Sequence, residues 1–205
     1  MPKVKFTKGE LKRQRDALKQ YQRYLPTLQL KKQQLQMEIL RQRTIFEDKN
    51  REKAKKRKAV EEWAGLLSDP TINMRPWITP KKIIIGSRNI AGVGLPLFDH
   101  VEFSPAEYDL FITPLWVDAA IEALRELVSI RKEANVVEEG IAILRHELRI
   151  TNQRVNLFEK VKIPEAKEAI RLIKIYLGDQ MANAVGRSKI AKRKIEAAVL
   201  EEVAV

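Results

Sequence analysis

Few residues in this 205-residue chain stand at spacings that could do chemistry. The first candidate is Gly92-Val93-Gly94, because glycine amides that open a helix can cradle a phosphate. The nucleotide loop needs G-x-x-x-x-G-K-[ST], and the dinucleotide form needs G-x-G-x-x-G. Here Gly86 and Gly92 are separated by five residues, Val93 stands where the lysine should be, and Leu97 takes the place of the third glycine. No nucleotide or other cofactor is therefore expected. The two histidines, His100 and His146, lie in different segments, with no cysteine or carboxylate around them at metal-ligand spacing. Neither a metal centre nor a catalytic acid–base pair is expected. Glu138, Glu139 and Glu147 belong to a charged helical stretch and read as solvated residues with i,i+4 partners. The basic block Lys53 to Lys58, "KAKKRK", could contact phosphates. It lacks the interleaved aromatics of a nucleic-acid face and reads as solvated or partner-facing surface.

With no catalytic residues to position, the elements themselves become the message. Apolar residues make up 44% and charged residues 32% of the chain, a mix that suits long solvated helices with a narrow apolar seam. Cysteine is absent, which excludes disulfides and thiolate chemistry and fits a reducing compartment. No run of about 18 apolar residues exists to span a bilayer. The opening "MPKVKFTKGELKRQRD" has no apolar signal core, so a cytoplasmic protein without membrane insertion is expected. The net charge of +12 is concentrated: residues 1–60 hold 19 Lys+Arg against 6 Asp+Glu, while the rest balances near zero. Such a segment fits a nucleic-acid binder, or one strand of a helical pair that faces an acidic partner.

A seven-residue repeat organises both ends. From Leu11 the a positions include Leu18, Leu25, Ile39 and Phe46, and the d positions include Tyr21, Leu28 and Leu35. The seam thins at Lys49, Lys53 and Lys56, where charge replaces apolar residues. Pro26 interrupts this helix and is expected to kink it. From Ala120 the second seam is cleaner: Leu127, Ala134, Ile141, Leu148 and Val155 at a, with Ile130, Val137, Leu144, Thr151 and Phe158 at d. It passes through Gly140 and slips in phase at Ile163-Pro164. Two amphipathic segments on one chain, neither able to bury its seam alone, pair most simply as an antiparallel coiled coil. Between them "DPTINMRPWITP" marks a break, Lys81 to Ile90 reads as a strand, "AGVG" as a turn and "LPLFDHVEF" as a returning strand. Thr113 and Pro114 are expected to open the second helix. The expected architecture is mainly α: a coiled-coil helix over 1–68, a β-hairpin insert over 69–114 and a coiled-coil helix over 115–205.

Two windows carry a family resemblance. "NIAGVGLPLFDH" resembles the N-V-A-G-V-x-L-P-x-F-E stretch of the D subunits of the rotary V-type (vacuolar, archaeal and bacterial) ATPases, at Asn89, Ala91, Gly92, Val93, Leu95, Pro96 and Phe98. "ITNQRVNLFEKVKIPEAKEAIRLI" is similar to that family's second signature at Thr151, Arg154, Val155, Asn156, Glu159, Val161, Ile163, Pro164 and Ile170. Gln153, Phe158 and Glu165-Ala166 depart from it. The resemblance implies a rotor shaft without an active site, which couples ATP hydrolysis or synthesis to H⁺ or Na⁺ transport. It implies as partners the catalytic A and B subunits, the small F subunit and a C/d-type socket subunit above the membrane rotor ring. It also implies a cytoplasmic position, peripheral to the membrane. The hairpin residues become candidate partner contacts, and Thr151, Arg154, Val155, Asn156, Glu159, Ile163 and Pro164 candidate shaft residues. A free-standing coiled-coil adaptor, chaperone or secretion stalk would share the helical pattern but lack the A-G-V-x-L-P insert. A basic nucleic-acid binder would show steeply salt-dependent binding.

Overall fold

The computed structural model describes residues 5–68, 72–109 and 113–203. Of the break expected over 69–80, residues 69–71 lie outside the described residues, as do 110–112 in the approach to the second helix. Helix α1 spans Lys8–Glu61, followed by a 3₁₀ turn at Ala64–Ser68 and the short α2 at Arg75–Ile78. Strands β1 (Pro80–Ile90) and β2 (Val93–Phe103) form an antiparallel hairpin. Helix α3 (Trp116–Asn156), a π-turn (Leu157–Lys162) and α4 (Ile163–Val203) complete the chain. Two compact units result: Met1–Gln29 with Gln153–Val205, and Leu30–Asn152.

Helix α1 starts where its sequence provides a cap. The Thr7 hydroxyl accepts the Glu10 backbone N–H at 3.2 Å, satisfying one of the donors that every helix start leaves open. The helix neither stops nor restarts at Pro26. In the first unit the helices run antiparallel: Phe6 packs on Tyr176 with ring centroids 5.0 Å apart, and Tyr21 on Phe158 at 5.3 Å. Val155, Ala166, Ala169 and Ile173 are buried there, while Leu18, Leu25, Leu28 and Phe158 are half-buried.

In the second unit the two helices are also antiparallel. Lys49 pairs with Glu133 at 2.9 Å, and Lys56 pairs with Glu126. Seven residues forward on α1 thus meet seven residues backward on α3. These lysines occupy the thinned d positions of the first seam, so that stretch is held by cross-helix ion pairs in place of apolar packing. Hydrogen bonding to Glu133 is the largest influence on Lys49 and raises its pKa above the ordinary 10.5, against some desolvation; Glu52 adds to the rise. A raised pKa stabilises the fold fully below the unfolded value and progressively less as pH climbs through the folded one. The second unit should therefore lose stability above about pH 10.5 in a wild-type melt. A Lys49→Met variant should show a smaller loss over the same range.

A second cluster closes the far end of this unit. Met74, Val117, Ala120 and Ile121 are buried, with Trp63, Trp77, Tyr108 and Trp116 packed against them. Arg125 ties the segments together: its Nε donates to the Trp77 carbonyl at 2.9 Å and its Nη2 to the Ser104 carbonyl at 2.6 Å. Its guanidinium also lies 5.3 Å from the Phe103 ring centroid. Arg125→Ala should cost about 2–3 kcal/mol, since hydrogen bonds from charged donors are worth more than neutral ones. All three tryptophans lie in this unit, so urea unfolding followed by tryptophan fluorescence reads that cost directly.

The second helix does not open at Thr113 and Pro114 as expected. Helix α3 begins at Trp116, and Thr113 does not cap it. The Thr113 hydroxyl donates instead to the Asp109 carbonyl at 2.6 Å.

Candidate partner-contact site

The hairpin is docked on the helices of its unit. Ile90 pairs with Val93, leaving Ala91 and Gly92 as a two-residue turn. Both have positive φ, 52° and 77°, as a type I′ turn requires to match the twist of the strands. Asn89 steadies the turn: its Oδ1 accepts the Gly92 N–H at 3.0 Å. Only one of the paired glycines turns the chain, since Gly94 lies in β2 opposite Asn89.

Alternation along β2 then sends Val93 and Leu95 inward. They join Leu35, Ile39 and Leu144 in one buried cluster, with Ile90, Ala91, Ile143 and Leu148 against it. The seam residues of α1 and α3 therefore grip the hairpin tip as well as each other. Pro96 rests on α3 at Gly140, where a Cβ would stand 4.0 Å from the proline Cδ. That is ordinary contact, so Gly140→Ala should fit and stabilise the unit by about 0.5–1 kcal/mol through helix propensity. A chemical-denaturation comparison checks this.

The seven candidate hairpin residues thus divide. Val93 and Leu95 are spent on the core; Ala91, Pro96 and Phe98 are half-buried; Asn89 and Gly92 face solvent. The surface offered outward is carried by residues that sequence reasoning passed over. Leu97 is 54% exposed, Ile85 47%, and on α1 of the same unit Leu30, Met37 and Leu40 are 55%, 71% and 63% exposed. Their spacing of seven and three residues on α1 was the available signal, hidden because the buried seam shares the same helix. A cleft of about 150 Å³ sits beside the hairpin, with Arg41 and Arg88 along an apolar wall of Ile45, Leu95 and Phe98.

The second motif begins at Thr151, which is buried in α3 of the second unit. In the first unit Val155 is buried and Ile163 half-buried, while Arg154, Asn156, Glu159 and Pro164 face solvent. In the basic block, Lys53 donates to the Asn50 side chain at 2.8 Å, Lys56 pairs with Glu126, and Arg57 pairs with Glu61 at 2.9 Å. Among the described residues no group of three or more His, Cys, Asp or Glu is placed to hold a metal ion. No described helix is long and apolar enough to cross a membrane.

The sequence profile of the ATP synthase D-subunit family matches residues 10–193. The chain is 48% identical to the V-type ATP synthase D subunit of Borreliella burgdorferi, over 95% of this chain and 96% of that protein. It is 36% identical to the V-type ATP synthase D subunit of Chlamydia pneumoniae, over 94% and 93%. The Chlamydia muridarum protein of the same description is 34% identical, over 94% and 96%.

Proposed function

This chain belongs to the ATP synthase D-subunit family, the central-stalk subunits of rotary ATPases, and from that premise we propose that it is the rotor shaft of a V-type complex. The observation that carries the reading is the span of the family match, which takes in both helical arms and the hairpin between them. In this reading, ATP hydrolysis in the catalytic A/B head turns the shaft, and the shaft turns the membrane ring. Ion flow through the ring drives the reverse process. The chain itself catalyses nothing; its work is mechanical. H⁺ or Na⁺ is selected by membrane subunits and not by this one.

The packing supports a torque-bearing role. A shaft must resist unwinding, and the ion pairs Lys49–Glu133 and Lys56–Glu126 oppose sliding where the apolar seam is thin. The exposed apolar residues Leu30, Met37 and Leu40 support contact with the small F subunit, since three such side chains on one helix face favour a covering partner. The remaining expected partners are the A and B subunits and the C/d-type socket. The chain then works at the cytoplasmic face, peripheral to the membrane.

Co-expression with tagged chain tests this. The A, B and F subunits should be recovered together with it in stoichiometric amounts. Recovery of the chain without them would contradict the shaft reading.

A further inference from the structure

The cleft beside the hairpin is walled by three elements of the second unit. Ile45 comes from α1, Val137 from α3, and Leu95 and Leu97 from β2. Two cations stand against this apolar wall, Arg41 on α1 and Arg88 on β1. Arg88 pairs across the hairpin with Leu95, which places both on the strand face that meets the helices. Both arginines are exposed, and neither enters any ion pair formed among the described residues. The other polar side chains of the cleft are engaged. Glu133 is held by Lys49 at 2.9 Å, which offsets its charge, and the Gln42 side-chain N–H donates to Glu38 at 2.8 Å. Two positive charges therefore remain beside an apolar wall, with no described carboxylate to answer them.

Size decides what can enter. Pockets that enclose a drug-sized molecule run to about 300–1,000 Å³. At about 150 Å³ this cleft has room for a single side chain. The surface around it points to a protein as the source. Met37, 71% exposed, stands one turn before Arg41 on the same face of α1, and Leu97 in the cleft wall is 54% exposed. Apolar surface thus runs up to the cations and extends beyond what a lone small anion would cover. Guanidinium groups in turn hold carboxylates through paired, charge-assisted hydrogen bonds.

We propose that this cleft is an anchor site for a partner protein. It takes one aliphatic side chain of that partner, while Arg41 and Arg88 hold a carboxylate beside it. That the partner is another subunit of the rotary complex rests on the shaft reading above; the chemistry of the cleft does not.

A small molecule that joins the two groups tests the chemistry. 4-Methylpentanoate, titrated into the full chain and followed by NMR, should shift the amide signals of Arg41, Ile45, Arg88 and Val137. It should bind about tenfold more tightly than acetate, which lacks the apolar end. 3-Methylbutylamine, with the opposite charge on the same branched end, should leave those signals in place. Equal response to the acid and the amine, or none to the acid, would overturn the proposal. The partner is tested by co-expression with the other subunits. Arg41→Glu combined with Arg88→Glu should cut recovery of one subunit by about tenfold or more. Its circular dichroism and urea midpoint should match the wild type, because both side chains are exposed. Full recovery of every subunit by the reversed variant would overturn the anchor and leave the shaft reading standing. Failure of the wild-type chain to recover any subunit would instead overturn the shaft reading, and the titration would then decide the cleft.

Discussion

Leu144→Ala is expected to destabilise the second unit by about 2–5 kcal/mol, the range for emptying a fully buried leucine site. Leu144 has no solvent exposure, and it touches both the α1 seam and the hairpin tip through Leu35, Ile39, Val93 and Leu95. Three elements meet at one side chain, so no single one can relax into the space. Urea unfolding followed by tryptophan fluorescence should show an earlier midpoint. Exchange protection at the Phe6–Tyr176 end of the first unit should stay near that of the wild type, because that packing shares no residue with the Leu144 cluster. A cost below about 1 kcal/mol would mean that the hairpin is not seated on the seam.

The second large effect is expected from Leu95→Asp. A carboxylate there would be buried among aliphatic side chains without a partner, at a cost of several kcal/mol. The cheaper outcome is release of the hairpin tip, with helical content retained. Binding of the small F subunit should then weaken more than tenfold if the docked hairpin shapes the contact surface. Leu97→Asp is the paired control. At 54% exposure it should change stability by no more than about 0.5 kcal/mol, yet still weaken partner binding if that face is used. Equal partner affinity for both variants and wild type would remove the hairpin from the interface.

The seam and the hairpin were legible because each rests on local rules. A seven-residue repeat of apolar residues identifies paired helices, and "AGVG" after a β-branched strand marks a hairpin turn, of which only Ala91 and Gly92 make the turn. Phase slippage at Ile163-Pro164 was also visible, and the π-turn is its physical form. Other features depend on segments distant in sequence and carry no period. Lys49 and Lys56 read as a weakness until Glu133 and Glu126 stand opposite them. Gly140 is legible as a soft point in a helix, but the sequence does not show that Pro96 lies beside it. The cluster around Arg125 draws on α2, the end of β2 and the start of α3, so neither helical nor strand patterning announces it. The candidate contacts were the least legible part. A motif marks residues that build the hairpin, and Val93 and Leu95 build it by packing into the cluster of Leu35, Ile39 and Leu144.

As a rotor shaft, this chain should turn inside its complex. The most direct measurement attaches a bead to the shaft of a surface-fixed A/B complex, through a cysteine introduced at the exposed Asn89, and follows it under ATP. The chain has no cysteine of its own to compete for the label. Unidirectional rotation in regular steps, at a rate set by ATP, is the expected result. A complex that hydrolyses ATP while the bead on this chain stays fixed would contradict it.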